Sequence, residues 1–306
     1  MFTMMNAARI MVGIQGLGLA ETGYQVSLGF AKERLQSRSI AGPEHPNETA
    51  DPIIVHPDVR RMLLRQKAII EGSRAMAYWT GLHLDLSHGH ADSNQRERSD
   101  DIVQLMTPIV KSFLTDEGFF SCDQALQSMG GAGFTQDWPV EQLLRDGRIA
   151  RIYEGTNGIQ ALDLVGRKLT MNNGRLAHTY LSEMKNMLEG VNNSLHLASA
   201  NRFIEVLQET LGGLVIKSAK DPLEAASAAT PLLRMFALTT LAVLWAKMAA
   251  QSEEATTIEN YSEAFLSSKR KTADHYFRLY QPEMIALAEE VKSGKETIMA
   301  LSADEF

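Results

Sequence analysis

Cysteine is almost missing from this chain: Cys122 stands alone in 306 residues. No internal disulfide and no Cys-x-x-Cys metal site can form, and a reducing, cytoplasmic setting is expected. Basic residues are in the minority, 30 Lys and Arg against 37 Asp and Glu, for a net charge of −7. That balance argues against nonspecific nucleic-acid binding, which needs a basic surface to displace counterions. The densest basic stretch, "RRMLLRQK" at 60–67, has apolar residues between its charges at helical spacing and reads as the solvated side of an amphipathic helix. Uncharged apolar runs of about 18 residues are also lacking, so no membrane span is expected. The opening "MFTMMNAARIMVGIQGLGLA" has no basic lead, is interrupted by Arg9 and precedes no small-residue cleavage site. It is not expected to act as a signal peptide. Strand-like alternation and internal repeats are absent as well.

What is present is helical periodicity, in a chain long enough for two domains. Val12, Leu19, Val26 and Phe30 mark one helix over 3–37. Four of the nine prolines fall in 39–58 and break it. A second helix is expected over about 58–88, along Met62, Ile69, Met76 and Leu84. A third is expected over about 99–129, with Ser99 as N-cap. Pro139 suits the first position of a short helix with Glu141 in its first turn. A further helix starts at Thr156 and ends at "MNNGR", 171–175, which is also the expected boundary between domains 1–170 and 171–306. The predicted fold is all-α: an up-and-down helical bundle followed by a second helical domain.

Several patterns carry possible chemistry. "GIQGLGLAETG", 13–23, has glycines near dinucleotide-fingerprint spacing, but in the wrong order and within a helix, so close helix packing is the better reading. His83, His88 and His90 with Asp85 and Asp92 match no standard ligand set, and no metal is expected. No Gly-x-Ser-x-Gly elbow supports a hydrolase. "QSMGGAGF", 127–134, reads either as a helix-ending turn or as a backbone edge that a phosphate can approach. In "RIYEGTNGIQ" a lone carboxylate, Glu154, follows Ile152 and Tyr153, which are expected to bury its surroundings, and precedes the turn formers Gly155 and Thr156. A glutamate near a helix start can offset the helix dipole, or it can be a base. Spacing alone leaves both open.

Across "QSMGGAGFTQDWPVEQLLRDGRIARIYEGTNGIQ", 127–160, three linked motifs occur in order: Q-x-x-G-G, P-V-E-x-x-x-R-D and Y-E-G-T. Here the chain resembles the acyl-CoA dehydrogenase family. Residues 1–170, including the Glu33–Arg34 step, resemble its C-terminal helical bundle, and 171–306 resemble an additional helical domain of a longer bacterial branch. The resemblance implies that Glu154 is the base that removes an α-proton from an acyl-CoA thioester, while FAD accepts the β-hydride and trans-2-enoyl-CoA forms. It implies that Arg9 orders the site. It places Gln127, Gly130 and Gly131 against the adenine and pyrophosphate side of FAD, Arg34 on the pyrophosphate, and Thr156 and Gly158 near the flavin's other end. "RLQSRSI" departs from the usual R-x-T/Q-F-G, so the resemblance carries over no contact at Gln36 or Ser37, and Gly158 offers backbone only.

The same resemblance implies electron-transfer flavoprotein as acceptor and a homodimer or homotetramer. It also implies that the family's N-terminal helical domain and β-domain are not in these 306 residues, which alone are expected to be inactive. Two other functions are weighed: a non-catalytic oligomerisation module, and the DNA-associated alkylation-response branch, for which "SSKRK" at 267–271 is the one compact basic run in the second domain.

Overall fold

The computed structural model describes residues 2–192, 194–254 and 261–306. Eleven α-helices account for most of them, and no strand occurs among the described residues. An isolated bridge pairs Leu35 with Pro52. Helix α1 (Phe2–Glu33), α2 (Pro57–Gly89) and α3 (Ser93–Met129) form the first layer. The close-packing reading of the α1 glycines holds. A Cβ on Gly118 of α3 would stand 2.5 Å from the Gly16 carbonyl oxygen, and one on Gly13 would stand 2.9 Å from that of Val110. The two backbones therefore touch, which only glycine permits at such a crossing.

Two helix ends differ from the sequence expectation. Helix α1 stops at Glu33 rather than 37, because Gln36 N–H donates to Asp51 C=O at 3.0 Å and Ser37 turns into left-handed φ of 60°. Helix α3 starts at Ser93 rather than 99. Its N-cap is Asp92, whose carboxylate accepts from Asn94 N–H at 3.0 Å. Ser99 is instead buried inside the helix, 3.2 Å from His83 Nδ1. His88 Nδ1 meets Leu84 C=O at 2.8 Å. These histidines serve a helix end and a helix contact.

One turn, α4 (Gly131–Phe134), leads to α5 (Val140–Ala150), preceded by Pro139 and carrying Glu141 in its first turn. Helix α6 (Asn157–Asp163) is capped by the Thr156 hydroxyl, which accepts from Ile159 N–H at 3.3 Å, and it runs into a π-helical turn, Leu164–Lys168. Asn172, Asn173 and Gly174 then take left-handed φ of 51°, 57° and 82°, which ends the helix within the expected "MNNGR".

The remainder comprises α7 (Arg175–Met187), α8 (Ser194–Ser218), α9 (Pro222–Ser227), α10 (Ala229–Glu254) and α11 (Glu263–Ser293). Helix α10 is long and apolar enough to cross a membrane. Here it is the core helix, with 83% of its most apolar window buried. Trp245 Nε1 donates to Ala68 C=O of α2 at 3.1 Å, and the Tyr180 and Tyr276 hydroxyls donate to Phe236 and Leu238 carbonyls at 3.0 and 2.7 Å. One hydrophobic core consequently runs from Ile10 of α1 to Val291 of α11.

Candidate active site

Glu154 sits on a turn between α5 and α6 with φ of +57°, followed by Gly155 at +88°. A glutamate in this region is strained, and it persists only where its surroundings hold it. Both carbonyls of the turn are tied down from below. Gln160 Nε2 donates to Glu154 C=O at 3.2 Å and to Gly155 C=O at 3.3 Å. Lys111 Nζ donates to Gly155 C=O and to Asn157 Oδ1, both at 2.8 Å. Gly155 is required for φ and for space, since a Cβ there would stand 2.7 Å from Gln160 Nε2. Upstream, Arg151 anchors the strand of chain by pairing with Asp116 and lying over the Phe119 ring at 5.1 Å, while its carbonyl accepts from Asn157 N–H at 3.1 Å.

The Glu154 side chain itself is exposed. Contrary to the sequence expectation, Ile152 and Tyr153 do not enclose it: they are 44% and 36% exposed. The physical reason is that the left-handed turn lifts residues 152–154 off the bundle, and Tyr153 is held outward by its hydroxyl bond to the Gln15 side chain. Met11, Ile14, Ile149 and Ile159 are exposed as well. This end of the molecule therefore carries a carboxylate together with several exposed apolar side chains.

Arg9 reaches the same place from α1. Its Nη1 lies 3.5 Å from Asp163 Oδ2, its Nη2 abuts Gly155, and its Nε is buried without a protein partner. Thr156 caps α6, and Gly158 follows in its first turn with open space where a Cβ would be. The structure thus gathers Arg9, Glu154, Thr156 and Gly158 around one turn.

The other predicted residues line a different cavity, of about 700 Å³, between the end of α1, the loop after it and the end of α3. Arg34, Gln127, Gly130 and Gly131 all face it, and so do Gln36 and Ser37. Gly130 ends α3 at φ of +59°, with its N–H on Gln127 C=O at 3.1 Å, and a Cβ on Gly130 or Gly131 would touch nothing within 4 Å. The glycine pair is therefore both a helix-ending turn and an open backbone edge. A guanidinium, an amide and an unobstructed glycine edge in one groove fit the pyrophosphate and adenine part of a dinucleotide. Asp51 holds the loop wall. Its buried carboxylate accepts from Ser39 N–H at 2.9 Å, His45 N–H at 2.7 Å and Glu44 N–H at 3.1 Å, and pairs with Arg38 at 3.3 Å. The Ser39 amide is the largest cause that pulls its carboxyl below the usual range, to about 2, against a smaller opposing effect of burial.

The two groups of residues lie far apart on one chain. Arg9 and Arg34 stand at opposite ends of α1, roughly 37 Å along an axis that rises about 1.5 Å per residue. Lys111, Asn157, Gln160, Asp163 and Asp51 were not singled out from sequence. Lys111 had a signal: it is the one charge in "LMTPIVKSFLT", a segment whose periodicity places it inward.

A family model described as acyl-CoA dehydrogenase, C-terminal domain, matches residues 1–170, over half of the chain. The chain belongs to the acyl-CoA dehydrogenase family. A second model, acetyl-CoA dehydrogenase C-terminal like, matches residues 180–302. The 3-methylmercaptopropionyl-CoA dehydrogenase of Ruegeria pomeroyi is 39% identical over 282 residues, covering 90% of this chain and 47% of that protein. A butyryl-CoA dehydrogenase of Syntrophomonas wolfei is 39% identical over 188 residues, 61% of this chain and 30% of its own. The chain thus spans about half the length, or less, of these relatives.

Solved structures share the fold over most of the chain. ACDH-11 of Caenorhabditis elegans, in complex with C11-CoA, has a TM-score of 0.74 at 17% identity, covering 89% of this chain and 42% of that one. An acyl-CoA dehydrogenase complexed with FAD from Bacillus anthracis has a TM-score of 0.72 at 20% identity, covering 95% and 49%. The all-helical reading and the family resemblance are both upheld.

Proposed function

We propose that this chain supplies the C-terminal helical part of an FAD-dependent acyl-CoA dehydrogenase, with Glu154 as the base that removes the α-proton of an acyl-CoA thioester. The observation that carries the reading is the Glu154 turn: a carboxylate raised on a strained, doubly anchored turn with exposed apolar side chains near it. Family membership supports the reaction type. When bound, FAD supplies the acceptor for the β-hydride. The chain's own part is to take the proton at the Glu154 carboxylate, and to offer the Glu154 backbone N–H to the thioester carbonyl where enolate charge develops. Covering the apolar surroundings would strip water from the carboxylate and strengthen it as a base. Arg9, fixed between Asp163 and Gly155, orders the turn, while Thr156 and Gly158 lie where the flavin end of FAD would approach.

Arg34, Gln127, Gly130 and Gly131 are assigned to the pyrophosphate and adenine side of FAD. Their distance from Glu154 along α1 supports a shared arrangement, in which each chain reaches the FAD of its neighbour in a homodimer or homotetramer. Electron-transfer flavoprotein is the proposed acceptor, and the cytoplasm the proposed compartment, in keeping with a single, unpaired cysteine. Residues 1–170 and 171–306 are proposed as the two units despite their common core. On their own, these 306 residues are expected to purify colourless and self-associated.

The test is oxidation of a panel of acyl-CoAs by the full-length protein carrying these residues, purified with FAD. The panel includes butanoyl-CoA and 3-methylthiopropanoyl-CoA, the substrates that the relatives' names indicate. Formation of a trans-2-enoyl-CoA from at least one member is expected. Failure to oxidise any of them would reject the proposed activity.

A further inference from the structure

Lys111 is fully buried in α3, and a cation in such a place is costly unless its donors are satisfied. Its hydrogen-bond acceptors are neutral: the Gly155 carbonyl and the Asn157 side chain, each at 2.8 Å. A lysine needed only to fill the core would be replaced without loss by a methionine of similar length. The ammonium is instead shared between the carbonyl that follows Glu154 and the side chain of Asn157, two positions further on.

The geometry explains why. Glu154 and Gly155 both hold left-handed φ, so both peptide planes must be pinned for the carboxylate to keep one direction. Gln160 reaches both planes, at 3.2 Å through Glu154 C=O and at 3.3 Å through Gly155 C=O, and Lys111 holds the second more closely, at 2.8 Å from Gly155 C=O. Asn157 completes the frame. Its Oδ1 accepts from Lys111, its Nδ2 donates to Ser112 C=O at 3.2 Å and to Thr115 Oγ1 at 3.0 Å, and its N–H closes back on Arg151. The turn is thereby fastened to α3 at positions 111, 112 and 115. Charge adds to position: a charge-assisted bond is about twice as strong as a neutral one. Burial pulls the Lys111 amine down to about 8, with Asp116 and Glu154 opposing that fall and Arg9 adding to it, so the group remains mostly cationic at neutral pH.

Building on the role proposed for Glu154, we infer that Lys111 is a positioning residue for the dehydrogenation: through Gly155 C=O and Asn157 it fixes the turn that aims the Glu154 carboxylate at the substrate α-carbon.

The test uses the full-length, FAD-loaded protein and a 3-thia-acyl-CoA deuterated at the α-carbon. Sulfur at the β position prevents hydride loss, so exchange of α-deuterium with solvent, read by mass spectrometry, reports proton removal alone. Lys111→Met is expected to slow exchange about 100-fold, as an ångström of misplacement does, with FAD content and the Kd of the thia-acyl-CoA within about threefold of the unaltered protein. Exchange at the unaltered rate in Lys111→Met overturns the inference, and so does a loss that merely tracks loss of FAD. Should that variant not fold, Asn157→Ala removes one acceptor and keeps the lysine. It is expected to slow exchange about tenfold, and an unaltered rate there overturns the inference equally. If the unaltered protein exchanges no deuterium, the proposed function fails and this inference with it. If it exchanges and the variants match it, Lys111 alone loses its role.

Discussion

Glu154 and Gly155 show what one pair of residues contributes. The motif Y-E-G-T made the glutamate visible in the sequence, and the structure adds why glycine follows it. Gly155 needs φ of +88° and has Gln160 Nε2 within 2.7 Å of any Cβ. Gly155→Ala should therefore cost about 1–3 kcal/mol in the strain of the turn and lower turnover more than it lowers melting temperature. A variant with full turnover would show that the turn is not under constraint. The supporting residues were less legible, and the reason is physical. Lys111 and Gln160 lie 44 and 5 positions from Gly155 in sequence, and the hydrogen bonds that matter are side chain to backbone. Backbone carbonyls have no sequence signature. The exposure of Ile152 and Tyr153 is not legible for a related reason, since apolar residues read as burial unless a turn lifts them away from their own bundle.

Among the elements, the helices were legible from periodicity, while their ends were decided by single side chains. Asp92 begins α3 earlier than Ser99 would, and Asp51 ends α1 by gathering the loop beneath it. The glycines of α1 were legible as packing residues, and the crossing is testable. Gly118→Ala would push a methyl against the Gly16 backbone, where neither helix can yield, and a loss of about 1–3 kcal/mol or more is expected in denaturant unfolding. A loss below about 0.5 kcal/mol would mean that the helices part freely. The loop has a pH signature. Asp51 lies near 2 in the folded chain against an ordinary 3.8, so its contribution is complete above about 3.8 and disappears as pH falls through about 2. Amide exchange over residues 36–51 should accelerate between about pH 4 and pH 2 relative to α10, and Asp51→Asn should show little such dependence. Equal protection at both ends of that range would contradict it.

On the scale of the whole molecule, the two helical parts are joined by more than apolar contact. Glu117 of α3 is buried and bridges Arg65 of α2 at 3.1 Å and Arg234 of α10 at 2.7 Å, and Arg234 continues to Glu283 of α11. Burial opposes ionisation of Glu117, but the two guanidinium groups outweigh it and hold its carboxyl below the usual range. Glu117→Gln leaves Arg65 without its ion-pair partner and Arg234 with Glu283 alone, and should cost about 3–5 kcal/mol of stability. Unfolding at an unchanged denaturant midpoint would show that the bridge contributes nothing. Such a bridge cannot be read from sequence, because its members come from four helices. The central claim remains the assignment of Glu154, and Glu154→Gln tests it most directly. In the full-length protein loaded with FAD and mixed anaerobically with a substrate acyl-CoA, the unaltered enzyme should bleach its oxidised flavin absorbance. The variant should bind FAD and acyl-CoA normally and bleach slower by at least about 100-fold, whereas bleaching at the unaltered rate would place the base elsewhere.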